Sequence, residues 1–108
     1  MGLDTVELVL RCEEVFAIDL PDWKCEQVHT VGDLYTIICE GLALAPVANP
    51  TPETGFDRLP RGVLNLTTVT WTPEDVWATL VAIFVDQLAV NKAEVVPNAD
   101  IQRDLRCY

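Results

Sequence analysis

Few residues in this chain have the means to do covalent chemistry. There are four cysteines (Cys12, Cys25, Cys39 and Cys107), a single histidine (His29), and no serine in 108 residues. No two cysteines have the two-to-four-residue spacing of a zinc knuckle, and one histidine cannot complete a ligand set by itself. Four free thiols, most of them partly buried as small hydrophobes, is the reading this supports, with a disulfide or metal role as the alternative. His29 stands beside Thr30 at a helix start, which suits a surface or capping residue better than a general base. The sequence therefore offers no catalytic residue and no metal site. What remains is charge. Asp4, Glu7, Glu13 and Glu14 lie within one amphipathic stretch near the start of the chain. Such an acidic face either docks a basic protein surface or simply solvates its helix.

These residues need helices to position them, and the sequence predicts an all-α chain. Leu3 to Phe16 places apolar residues at Leu3, Val6, Val9, Leu10, Cys12 and Phe16, a helical spacing. Asp4 and Glu7 fall in its first turn, where carboxylates suit the helix dipole. Glu7, Glu13 and Glu14 lie off that stripe and are expected to face solvent. Pro21 breaks the pattern, and Asp22 can cap a short helical turn through Gln27. Thr30 followed by Asp33 predicts a capping-box-like start for a helix running to about Glu40, burying Val31, Leu34, Ile37 and Ile38, with Gly41 as its stop. Residues 43–71 lose the helical period. Pro46, Pro50, Pro52 and Pro60 interrupt them, and the stretch from Val63 to Trp71 is rich in β-branched residues. Either these residues form an ordered linker packed by Phe56, Leu64, Leu66 and Trp71, or a strand there pairs with a second chain. Thr72-Pro-Glu-Asp75 is a strong helix start. The helix is predicted to run to about Leu88, with a broad apolar face of Val76, Trp77, Leu80, Val81, Ile83, Phe84 and Leu88 that must be deeply covered.

Composition narrows the function classes. The formal net charge is −10 and half of the residues are apolar. A core is expected, in one domain over 1–108. The acidic field argues against nucleic acid. No basic leader segment is visible, and the longest apolar stretch, 76–90, contains Asp86 and Gln87 and is too short to span a bilayer. A soluble, cytoplasmic protein with no membrane role is the expectation.

Two stretches resemble acyl carrier proteins. That family carries phosphopantetheine on the Ser of the motif Asp-Ser-Leu-Asp-x-Val-Glu-Leu. Leu3, Asp4, Val6, Glu7 and Leu8 match it, while Gly2 stands in the place of the Ser and Met1 in the place of the Asp before it. Phe16-Ala-Ile-Asp-Leu-Pro-Asp22 is similar to the family's Phe-x-Ile-x-Leu/Ile-Pro-Asp, with Ala17 where Gly is usual. Thr30-Val-Gly-Asp33 is similar to the entry of the family's last helix. Residues 3–42 thus resemble its second, third and fourth helices. Residues 72–105 resemble its first helix and the loop after it, through Val95 or Val96, Pro97, Ala99, Ile101, Asp104 and Leu105.

The resemblance implies a four-helix bundle in permuted order, with helices II, III and IV in 1–42, a Pro-containing linker in 43–71, and helix I with its loop in 72–108. Closure on itself would bring the two ends of the chain together near the usual attachment point. The 29-residue linker spans roughly 30 Å as a flexible coil. It can therefore close one chain or let the 72–88 helix exchange between two copies. Gly2 has no side chain to hold phosphopantetheine, so no cofactor is expected. Thr5 lies one turn along, and Cys107 offers a thioester-forming thiol or is a thiol in a frayed tail. The implied function is a non-enzymatic carrier-like module without a prosthetic group. It would dock a basic partner, with an enzyme of fatty acid or polyketide synthesis as the class the resemblance implies, through Asp4, Glu7, Glu13 and Glu14. The alternatives are a true carrier using a residue other than Ser, and a helix-swapped homodimeric assembly protein.

Overall fold

The computed structural model describes residues 3–47 and 70–101, apart from the side chains of Leu3, Asp4, Thr5 and Asp22. Four α-helices stand among them: α1 (Leu3–Phe16), α2 (Asp22–Cys25), α3 (Val31–Gly41) and α4 (Pro73–Leu88), followed by a 3-10 turn, Lys92–Glu94. No strand forms among the described residues beyond a single bridge between Thr30 and Asp100. The all-helical class is as the sequence predicts. Phe56, Leu64 and Leu66, most of the 43–71 linker, Gly2 and Cys107 lie outside the described residues.

The helix starts follow local capping chemistry. Thr30 Oγ1 accepts from the Asp33 N–H at 3.1 Å, and Asp33 Oδ2 accepts in return from the Thr30 N–H at 3.1 Å. Aspartate thus closes the capping box that usually takes Glu or Gln. Thr72 Oγ1 accepts from the Asp75 N–H at 3.2 Å, and Pro73 occupies the first turn of α4, where a missing N–H costs nothing.

The helix ends share one device. Ala17, Ala43 and Ala89 follow α1, α3 and α4, and all three adopt left-handed backbone, with φ of 55°, 58° and 55°. The Ile18 N–H reaches back to Glu13 O at 3.2 Å, and the Leu44 N–H to Cys39 O at 2.8 Å, the six-to-one bond of a Schellman ending. After α4 the Ala89 N–H bonds Val85 O at 3.1 Å. Gly41 does not stop α3 as predicted. It is the last helical residue, and Ala43 makes the reversal two residues on. Left-handed backbone costs an L-residue about 1–2 kcal/mol, while glycine gives part of that back through its freer unfolded chain. Each of Ala17→Gly, Ala43→Gly and Ala89→Gly is therefore expected to stabilise the fold by about 0.5–1 kcal/mol. Denaturant midpoints of the three single variants check this.

The core forms where α4 packs against both α1 and α3. Val76, Trp77, Leu80, Ile83 and Phe84 of α4 are fully buried, so the broad apolar face predicted for this helix is covered within one chain. Leu8, Val9, Cys12, Val15 and Phe16 meet it from α1, and Val31, Leu34, Tyr35, Ile38 and Cys39 from α3. Ile37, predicted as core, is only partly buried. Trp77 meets Tyr35 edge-on with ring centroids 5.4 Å apart, and Trp71 lies against Phe16 at 4.8 Å. Full burial of each large side chain is worth about 1.5–3 kcal/mol.

The segment after α4 docks on the start of α3. The Val31 N–H donates to Ala99 O at 3.0 Å, the Gly32 N–H to Pro97 O at 2.8 Å, and the Ile101 N–H to His29 O at 2.9 Å. Two amides that helix geometry leaves without an intrahelical acceptor are thus satisfied by the far half of the chain. Val95, Ala99 and Ile101 are buried beneath this contact, whereas Val96 is exposed. Val95, not Val96, is the core residue of that segment.

The connection between the halves leaves and returns at one point. Tyr35 Oη accepts from the Val47 N–H at 3.1 Å and donates to Pro73 O at 3.2 Å. One hydroxyl thus touches both described ends of the connection. No span on the order of 30 Å has to be crossed.

Candidate functional site

The acidic residues singled out by sequence sit on α1, so the question is which way this helix turns. Leu8, Val9, Cys12, Val15 and Phe16 face the core at spacings of one, three and four. These spacings place them on one side of a 3.6-residue helix. Val6 and Leu10, assigned by sequence to the apolar stripe, point the other way and are 37% and 52% exposed. This is a correction. The buried stripe includes Leu8 and Val15 in their place.

Val6 and Leu10, four residues apart, form an apolar ridge on the outer surface of α1. Glu7 and Glu14 are exposed beside it, and Glu13 is half-buried on the flank. Asp4 belongs to the same helix, with its side chain outside the described atoms. Helical spacing places Glu7 and Glu14 on one side of the ridge and Glu13 on the other. The outcome is a narrow apolar strip between carboxylates.

Arg11, the one basic residue of α1, does not offset that charge. Its guanidinium turns to α4, where Nη1 pairs with Asp86 Oδ2 and donates to Gln87 Oε1 at 3.2 Å. Its flank position beside Leu8 and Val15 puts it within reach of α4, on the side away from Val6 and Leu10. A largely solvated pair of this kind, with Arg11 half-buried and Asp86 exposed, adds little stability, about 0–1 kcal/mol. Its larger consequence is electrostatic, because the only cation of the helix is held against a carboxylate.

The described thiols lie away from this surface. Cys12 and Cys39 are fully buried and Cys25 nearly so, and none of the three is in a disulfide. Burial pushes the Cys12 thiol up to about 12 and the Cys39 thiol up to about 11. Neither is a nucleophile at neutral pH. Among the described residues no group of three or more His, Cys, Asp or Glu side chains is placed to hold a metal ion. No described helix is long and apolar enough to cross a membrane. A second surface feature is an open cleft of about 490 Å³ between α3 and the 97–98 segment, lined by Asp33, Tyr35, Thr36, Val47, Pro97 and Asn98. The polar groups of Asp33 and Tyr35 that line it are engaged in the capping box and in the Val47 and Pro73 bonds.

Comparison with known proteins gives a partial match to one family. Over 39 residues the chain is 55% identical to an acyl carrier protein of a Picosynechococcus species, a match covering 36% of this chain and 48% of that protein. The match supports an acyl-carrier-like relationship over this part of the chain. The chain spans about half the length of that curated relative. No family model matches the chain, and no solved structure matches it. The acyl-carrier relationship and the helical architecture agree with the resemblance read from the motifs. The apolar ridge was missed by sequence reasoning. Its signal was available: α1 has more apolar residues than one buried stripe can take.

Proposed function

We propose that this chain is a non-enzymatic acyl-carrier-like module that docks a basic protein surface through the outer face of α1. The observation that carries the reading is the exposed Val6–Leu10 ridge flanked by Glu7, Glu13 and Glu14, with Arg11 drawn away to Asp86. An apolar strip rimmed by charge of one sign suits a partner with an apolar groove and a basic rim. An enzyme of fatty acid or polyketide synthesis that receives carriers is the class of partner the family relationship suggests.

The permuted helix order belongs to the same reading. It is supported by α4 and the 95–101 segment packing onto α1 and α3 of the same chain, and by both ends of the connection meeting at Tyr35 Oη. In this order the module has no place for phosphopantetheine. None of the 108 residues is a serine, Gly2 stands at the motif position, and the one thiol of α1, Cys12, is fully buried. The residues present do not fit the group, and no step runs through it.

The test is binding to a ketosynthase that accepts free-standing carriers, immobilised for surface plasmon resonance. Paired charge reversal, Glu7→Lys with Glu14→Lys, is expected to weaken binding by at least tenfold at low salt, and added salt is expected to weaken the parent chain likewise. Binding unchanged by the reversal sinks the docking assignment. Incubation with coenzyme A and a phosphopantetheinyl transferase is expected to leave the intact mass unchanged. A gain of the arm's mass overturns the armless reading in favour of a true carrier.

A further inference from the structure

We infer that this chain acts as a competitor of arm-bearing acyl carriers, occupying their docking surface on an acyl-transferring enzyme while delivering no thiol. The inference rests on the docking reading above and adds the consequence of occupancy. Two sets of observations combine. The outer face of α1 presents Leu10, 52% exposed, and Val6, 37% exposed, between carboxylates that Arg11 does not neutralise. That arrangement commits the partner to an apolar groove with a basic rim. The same helix offers no serine and no accessible thiol among its described side chains. The chain has no serine, and Cys12 is inaccessible and held protonated by burial. An enzyme that passes an acyl group from an acyl-coenzyme A thioester to a phosphopantetheine thiol, releasing coenzyme A thiol, would bind this module and find no such arm on α1. The effect on the enzyme is competitive occupancy, set by mass action.

The choice of partner follows from charge. The chain carries a net −10, and on the exposed ridge the carboxylates stand on both flanks, so an acidic groove would be repelled and a neutral one gains no attraction. Leu10 is the natural anchor because it is the more exposed of the two apolar residues and has Glu14 one turn on and Glu7 one turn back.

The experiment uses the full chain, an acyltransferase that loads free-standing carriers from an acyl-coenzyme A, and the arm-bearing form of the cyanobacterial acyl carrier protein matched above. Carrier acylation is followed by intact mass at increasing chain concentration. The apparent KM for the carrier is expected to rise about threefold when the chain is present at twice its own Kd, with kcat unchanged. Leu10→Arg, at an exposed position whose substitution leaves the helical circular dichroism intact, is expected to abolish the rise. Direct binding with no change in KM overturns the competition and leaves the docking reading standing. No binding at all overturns both. A fall in kcat at constant KM places the chain elsewhere on the enzyme and overturns the inference. So does acylation of the chain itself.

Discussion

Gly32→Ala is expected to destabilise the fold by about 2–4 kcal/mol, although alanine is the better helix former. A Cβ on Gly32 would stand 2.7 Å from Pro97 O and 3.4 Å from Pro97 C. Both are backbone atoms, so no rotamer change relieves the overlap and the 95–101 segment must lift from α3. Lifting it stretches the Gly32–Pro97, Val31–Ala99 and Ile101–His29 hydrogen bonds, at 2.8, 3.0 and 2.9 Å, and loosens buried Val95, Ala99 and Ile101. Overpacking costs about 1–3 kcal/mol, and each lost hydrogen bond about 0.5–1.5 kcal/mol. Higher helix propensity returns at most about 1 kcal/mol. Gly41→Ala is the control. Its Cβ would meet the side chain of Ile18 at 3.3 Å, which can rotate away. A loss below about 1 kcal/mol is expected there. Equal losses for the two variants, in denaturant midpoints at constant m-value, would show that the Pro97 contact does not hold the halves together.

This contact also explains what the sequence could and could not reveal. Thr30 and Thr72 announced their helices because capping is settled within four residues, and the structure places both hydroxyls on the N–H three residues along. The requirement for glycine at position 32 is not local. It comes from residue 97, which reaches α3 only through the closed fold. The choice between Val95 and Val96 had the same character. Two adjacent valines are equivalent in composition, and packing alone buries one and exposes the other. Ala17, by contrast, left a trace: an alanine where acyl carriers usually have glycine marked the position that proves left-handed. Ala43 and Ala89 left none, since alanine read alone favours continuing a helix.

The candidate site was half legible. Glu7 and Glu14 face solvent as their spacing required, while Glu13 is half-buried at the edge of the ridge. The direction of the apolar residues was misjudged because eight of them on one helix over-determine a stripe, and only the positions of α3 and α4 select which set is covered. Arg11 illustrates the limit in electrostatic terms. Its charge is plain from sequence, but its effect depends on Asp86, 75 positions away, which pairs with it on the side away from Val6 and Leu10. Tyr35 is the counterpart for topology. A phenol in a helical pattern reads as core, and nothing local shows that its oxygen gathers Val47 and Pro73.

Alkaline pH is expected to destabilise this chain progressively between pH 9 and 12. Burial pushes Cys12 from an ordinary 9.0 to about 12 and Cys39 from 9.0 to about 11. Burial likewise lifts Tyr35 from 10.0 to about 12, against a smaller downward pull from the Val47 N–H. In each case the folded value lies above the unfolded one, so folding holds a proton that the unfolded chain gives up. The associated stability is complete below about pH 9 and is lost as pH climbs toward 12. Each group contributes a slope of up to about 1.4 kcal/mol per pH unit between its two values. Tyr35 and Cys39 interact, so their losses are not independent, and together with Cys12 they remove several kcal/mol by the upper end of that pH range, a large share of the stability of a domain this size. The side chains involved are 0–2% exposed, so solvent does little to soften the effect. Circular dichroism at 222 nm under reducing conditions, with return to neutral pH as the reversibility check, measures it. Cys12→Ala leaves a small cavity and lowers stability at pH 7, yet its stability is expected to fall less steeply from pH 9 to 12, by the slope of one group. An identical pH dependence in parent and variant would show that the Cys12 proton is not coupled to folding.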